Sequence, residues 1–238
     1  MRGQPASRTR CPVDGAAQVW QSRRVLWKLA LFVTAIVFFV LASLRYGKGV
    51  FPLRAVKGRV LPSFPAPEGL IARLDGFDRR SREVKTSFMP CVLKDGGVAF
   101  PKRWSHEITI GSVAGVAHTW ALACMAEADP EGHKVRENAL LRAAIVPFLS
   151  FLVLTVLCVL GRIPVSAAVA ALAIVWVLMA FSAVMSQMRE WKAVEVAKAG
   201  LREAGLWPKM PGTSAALEQA LKAHAWCRVG GFFRYYAR

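Results

Sequence analysis

Residues able to carry chemistry are few in this chain and far apart. Its 238 residues include four histidines (His106, His118, His133, His224) and five cysteines (Cys11, Cys91, Cys124, Cys158, Cys227). No two histidines stand four apart, so no helix face presents the H-x-x-x-H spacing of a zinc site. The cysteines contain no C-x-x-C pair, and an odd, scattered set builds neither a disulfide framework nor a zinc ribbon. The phosphate cradles G-x-x-x-x-G-K-[ST] and G-x-G-x-x-G are missing, as is the G-x-S-x-G nucleophile elbow. His118 stands apart by its setting. It lies in SVAGVAHTWALA, a helix-forming run ahead of a long apolar stretch, and Glu190 opens the polar segment after the next such stretch. The other three read as surface or internally satisfied histidines.

The elements that would have to position His118 and Glu190 are membrane helices. Hydrophobic residues make up 55% of the chain and mean hydropathy is +0.36, yet Lys and Arg number 32 against 15 Asp and Glu. Neither a soluble basic domain nor a disordered basic tail has that balance. The charges avoid three stretches: 16 residues between Lys28 and Arg45, 19 between Arg142 and Arg162, and 26 between Arg162 and Arg189. At about 1.5 Å rise per residue the last two cross a bilayer core. The first does so once Leu26, Trp27 and a snorkelling Lys28 are counted. The pattern predicts a mainly α integral membrane protein with three transmembrane helices. The first covers 25–45; the others form a hairpin over 140–188, turned at Gly161-Arg162-Ile163-Pro164. A small α+β polar region, 46–139, lies between the first and second crossings, and a helical region, 189–238, follows the third. Three crossings put both polar regions on one side, where they can share a site. The basic segment 1–24 and Arg162 fall on the other.

Within the polar regions, residues 47–67 hold four prolines and three glycines and read as an irregular connector. Residues 69–100 alternate weakly, and Asp95-Gly96 predicts a small hairpin. A helix is predicted over 108–128, stopped by Asp129-Pro130. Ser166, Ala167, Ala170 and Ala171 form a small-residue ladder on the third crossing. Gly205 and Pro208 close its charged continuation. Ser214 is placed to cap a last helix that carries Leu217, Leu221, Ala225, Val229 and Phe233 on one face. The expected lipid or partner contacts are Trp27, Arg162, and Trp226, Phe232, Phe233, Tyr235 and Tyr236 of the aromatic-basic tail.

The run around His118 resembles the YugP-type neutral zinc metallopeptidases of membranes. Members of that family carry SIAAIAVAAHEVGHA, two membrane helices, then EFDASRRALxWLxxxGL and a terminal alanine-rich helix. Here TIGSVAGVAHTWALA and EWKAVEVAKAGLREAGL match in order and spacing, with Glu190, Ala193, Ala197, Leu201, Gly205 and Leu206 coinciding, across roughly residues 70–235. The resemblance implies that His118 holds the first ligand position and Glu190 the acidic third. It also implies loss. Thr119 stands where a Glu would activate water, Leu122 replaces the second His, and Lys192 replaces an Asp, where a lysine would repel a cation. Two ligands are too few for a catalytic zinc, which takes about three plus water. Cys124 points about 240° round the helix from His118, and no spacing recruits His106 or His133. His118 and Glu190 are then vestigial positions on a degenerate peptidase helix, with no catalytic residue, metal or cofactor.

The expected function is that of a non-catalytic pseudopeptidase. It would serve as a structural accessory subunit of a mitochondrial inner-membrane complex, of the respiratory chain or ATP synthase type. Its partners would be other subunits and anionic lipids such as cardiolipin. Residues 1–24 are Arg-rich with Asp14 as their one acid, the composition of an import segment. A bias of 21 Arg to 11 Lys points the same way. A bacterial plasma membrane is the alternative compartment, since a cytoplasmic tail obeying the positive-inside rule looks similar. A zinc metalloprotease with non-standard ligands is the alternative function. The net charge of +17 is spread over every membrane-flanking segment. That fits lipid headgroups better than a nucleic-acid stripe, leaving a membrane tether for ribosomes or nucleic acid as the third reading.

Overall fold

A computed structural model describes residues 32–227 except 34–35, 38, 57–58, 62–63, 79–80, 88–89, 94 and 107. Segment 1–24, Trp27 and the tail positions Phe232, Phe233, Tyr235 and Tyr236 lie outside the described residues, as do Val229 and the start of the first apolar stretch.

Residues 39–45 are helical and run through a π-helical turn (Tyr46–Val50) into α1 (Phe51–Val56). The irregular connector expected from position 47 is thus helical in its first part. Pro52 has no N–H to give the helix, and the chain passes it on a wider turn in which Phe51 N–H donates to the Tyr46 carbonyl. α2 (Pro67–Asp78) replaces the weak alternation read from position 69. Pro67 presets its first turn, and Leu70, Ile71 and Leu74 bury one helical face. Three short strands follow: β1 (Val84–Ser87), β2 (Cys91–Val92) and β3 (Val98–Pro101), in the order β1-β3-β2. β1 runs parallel to β3, and β2 pairs antiparallel with it. The β2–β3 connection is the expected hairpin, turned at Asp95-Gly96 with Gly96 at φ +80°.

A short α3 (Arg103–His106) leads to α4 (Ile110–Ala128), whose start is fixed by a capping box between Thr109 and Ser112. It ends at the Asp129-Pro130 stop, where Asp129 caps α5 (Pro130–Val159) by accepting Gly132 N–H at 2.8 Å. α5 therefore begins ten residues before its apolar stretch. A turn with Gly161 at φ +67° sends the chain into α6 (Val165–Glu203), which carries both the third apolar stretch and its charged continuation. Gly205, at φ +66°, closes it. α7 (Pro211–Trp226) starts at Pro211, not at the expected Ser214 cap. Proline's fixed φ begins the helix four residues early, with Met210 in the cap position, and the Ser214 hydroxyl donates within it to the Pro211 carbonyl at 3.0 Å.

The charged half of α6 joins α2, β3, α4 and α7 around one core that includes Leu74, Val98, Val116, Trp120, Leu201 and Leu217. Residues 46–139 and 189–227 therefore form a single folded unit. α4 lies at its centre and is buried along most of its length, which its small residues permit. Trp104 and His224 press against Gly115, and Trp120 against Gly200, where a β-carbon would collide.

The other halves of α5 and α6 are different. Their apolar windows have mean hydropathies of 2.3 and 2.5, yet only 12% and 17% of each window is buried, so bulky residues such as Phe148, Leu152, Ile174 and Phe181 face outward. Among the described residues two helices are thus long and apolar enough to cross a membrane. The described part of the first apolar stretch packs through Val37 and Leu41 against Trp176 and Ala180 of α6 and Trp226 at the end of α7. The small residues buried along the apolar half of α6 are Ala168, Ala173, Ala180 and Ala183, and Ala167 of the expected ladder is exposed. α6 has two neighbours to approach, so its close-packing face is not the one a single partner would select.

Candidate functional site

Three helices bring one charged cluster into the unit. α4 presents His118, α6 presents Glu190, and the early turns of α5 present Arg136. His118 Nε2 lies 3.2 Å from Glu190 Oε2. Arg136 donates to the other carboxylate oxygen, Oε1, from Nε at 2.8 Å and Nη2 at 2.5 Å, and from Nη1 to Glu137 at 2.6 Å. His118, Arg136 and Glu190 are 2%, 3% and 1% exposed, so the ionised carboxylate is out of water and is compensated by the guanidinium. The two positions paired by the resemblance do meet. Their third member, Arg136, was not legible, because nothing in local spacing links it to a carboxylate 54 residues away.

This arrangement does not fit a catalytic zinc. Arg136, a permanent cation, bonds Oε1 of the one carboxylate available, and among the described residues Oε2, the oxygen that would face a metal, has a single imidazole beside it, that of His118. Thr119 is buried, its hydroxyl donating to the Gly115 carbonyl at 2.8 Å, and Leu122 is a core residue at 2% exposure. Among the described residues no three His, Cys, Asp or Glu side chains gather as a metal site. Lys192 is not the cation beside Glu190. Two positions on along a helix is about 200° of rotation, and Lys192 is exposed, acting at a distance on Asp129. The Asp129 carboxyl is held below the ordinary carboxylate range first by Gly132 N–H and then by its bond from Arg189.

The sequence marks His224 as an ordinary surface or satisfied histidine, and the structure places it against His118. The two rings lie 6.5 Å apart and near-parallel, at 23°. His224 Nε2 is 2.8 Å from the Gly111 carbonyl, and since a carbonyl only accepts, Nε2 carries the proton. The signal was present: His224 follows Leu217 by seven and Leu221 by three, on the buried stripe of α7. Both imidazoles line a cleft of about 670 Å³ whose other walls include Arg45, Thr86, Lys102 and Arg103.

A second buried cluster ties α2 to α4. The Arg82 guanidinium pairs with Asp75, and Arg82 N–H donates to Asp75 at 2.7 Å. Trp120 Nε1–H donates to the same carboxylate at 3.0 Å, and Arg82 Nη2 reaches Glu127 at 3.0 Å. Of the expected lipid or partner contacts, Arg162 is exposed in the turn between α5 and α6. Trp226 is half-buried, edge-on to Trp191 at 5.7 Å, with Lys48 Nζ 4.9 Å above its ring. His133 is half-buried on the first turn of α5, and the side chain of His106 lies outside the described residues.

No protein family, curated protein or solved structure matches the chain. The resemblance to the YugP-type peptidases rests on the two motifs, their order and their spacing.

Proposed function

We propose that this chain is a membrane-integral pseudopeptidase, a peptidase-like framework without catalysis that works as a structural accessory subunit of a membrane complex. The observation that carries the reading is the Arg136 guanidinium on Glu190. A scaffold whose acidic ligand is neutralised by arginine, with Thr119 and Leu122 where base and ligand would stand, is kept for its contacts. Three crossings belong to the proposal, with Val37 and Leu41 packing beside α6 in support of the first. The Arg-rich start favours the mitochondrial inner membrane, where the complex would be of the respiratory chain or ATP synthase type. Anionic lipids such as cardiolipin would meet the basic flanks.

The tail beyond Cys227 is the proposed docking element. α7 is part of the folded core, so a cut at its start would remove Leu217 and Leu221 and unfold the unit. A cut after Cys227 spares them. Native gel electrophoresis of gently solubilised membranes should show the full chain in a large complex and the truncated chain released but still inserted. Migration of the full chain near its own mass of 26.1 kDa would overturn the reading. One zinc per purified chain, lost on His118→Ala, would replace it with a metalloprotease.

A further inference from the structure

The cleft beside His118 has a use that the peptidase reading does not supply. Its walls bring together Arg45, Lys102 and Arg103, with no acidic residue among them. Arg45 is half-buried and Lys102 and Arg103 are exposed, and among the described residues none of the three has a carboxylate within ion-pair distance, whereas the buried Arg82 and Arg136 are both paired. Arg45 Nε is buried without a hydrogen-bond partner among the described residues. Thr86 and Ser87 add hydroxyls, and Leu53, Pro90 and Pro101 add apolar wall. A smaller cavity of about 230 Å³ shares Leu53, Arg103 and His224 and brings in Arg54. Cations, hydroxyls and apolar wall together suit a phosphate ester on an apolar stem.

Depth selects the source of that phosphate. Arg45 follows Leu41 by four residues in continuous helix, about 6 Å along the axis. Leu41 packs on Ala180, inside the exposed apolar part of α6. The exposed apolar part of α6 runs on to Met188, so the arginine rim of the cleft stands near the polar end of that stretch, within an arginine side chain's reach of headgroup level. Lys48 over Trp226, and Trp226 against Trp191, continue the same collar of basic and aromatic side chains. We propose that the cleft holds the headgroup phosphate of an anionic phospholipid entering from the bilayer surface. This rests on the membrane reading above and assigns it a place.

Native mass spectrometry of the full-length chain in detergent tests it, with phosphatidylglycerol, phosphatidylcholine and inorganic phosphate as probes. The chain should retain phosphatidylglycerol at concentrations about tenfold below phosphatidylcholine. Arg45→Gln with Arg103→Gln should remove that preference, Arg45→Lys with Arg103→Lys should keep most of it, and Lys209→Gln should leave it unchanged. Unaltered melting of the glutamine variant shows that the fold has survived. A preference that persists in the glutamine variant overturns the cleft as the site while leaving anionic-lipid binding standing. No preference in the unaltered chain overturns the lipid reading itself. Millimolar inorganic phosphate that displaces phosphatidylglycerol would give the cleft to a free phosphate instead.

Discussion

α4 and the α5–α6 hairpin are both long and apolar, and the fold treats them in opposite ways. α4 is built from Ala, Gly, Ser and Val around a few large residues, and protein surrounds it on nearly every side from Ile110 to Ala123. The hairpin carries Phe, Leu, Ile and Met, and exposes most of them. Small residues let neighbouring backbones close in and leave room for His118 to meet Glu190 and His224. Bulky ones offer area to a surrounding apolar medium, which has no shape of its own to match. The size of the apolar side chains, more than their hydropathy, separates the helix that organises a site from the helices long and apolar enough to cross a membrane.

The strongest way to break this contrast is to rebuild chemistry on α4. Thr119→Glu with Leu122→His restores the missing zinc-site residue types, and it should yield no chelator-sensitive proteolysis. It should also destabilise the unit by at least about 4 kcal/mol, since both side chains would be polar groups in a packed core. Zinc-dependent cleavage by a folded double variant would show the old geometry to be intact beneath Arg136.

Removing the carboxylate is the next largest change. Glu190→Leu leaves the Arg136 guanidinium buried without its main partner and should cost about 3–5 kcal/mol in denaturant unfolding. Adding Arg136→Met should recover much of that loss. Costs that simply add would mean the pair is not coupled, and that the arginine is an accident of packing.

The two apolar environments can be compared with one kind of substitution. Leu122→Ala opens a cavity in the core and should cost about 2–5 kcal/mol. Leu152→Ala, on a side chain 51% exposed along α5, should cost under about 1 kcal/mol in lipid. Equal costs would mean that the hairpin surface is covered by protein, which would be direct support for a tightly packed partner.

The sequence showed α4, the β2–β3 hairpin and the α5–α6 turn because each is set by neighbours in the chain: the Asp129-Pro130 stop, Asp95-Gly96, Gly161. The pairing of His118 with Glu190 was legible through a resemblance that carried both positions. Arg136 was not, since an ion pair between two helices depends on their relative height and rotation, which no local pattern encodes. The Asp75–Arg82–Trp120 cluster escaped for the same reason. α2 was obscured because only Leu70, Ile71 and Leu74 mark its buried face, too few to outweigh an apparent alternation.

The smallest effect belongs to the water-facing side of the unit and checks that the two regions can be perturbed separately. Glu218 on α7 accepts from Lys222 at 2.8 Å and from Lys198 of α6 at 3.2 Å. These bonds, Lys222 first, hold its carboxyl below the ordinary value of 4.5. A carboxyl lowered on folding binds its proton less readily than in the unfolded chain. Its contribution is therefore complete above the unfolded value and is lost as pH falls through the folded one. Stability of the unit should decline as pH drops below about 5, and Glu218→Gln should flatten a small part of that decline. At neutral pH the substitution should cost no more than about 1 kcal/mol, because the side chain is partly open to solvent. Unfolding followed by tryptophan fluorescence, to which Trp176 alone of the described tryptophans contributes from the apolar hairpin, and by far-ultraviolet circular dichroism would read both regions at once. A pH response in the apolar hairpin equal to that of the unit would mean the two do not melt independently, and that the contrast between them is one of surroundings and not of cooperativity.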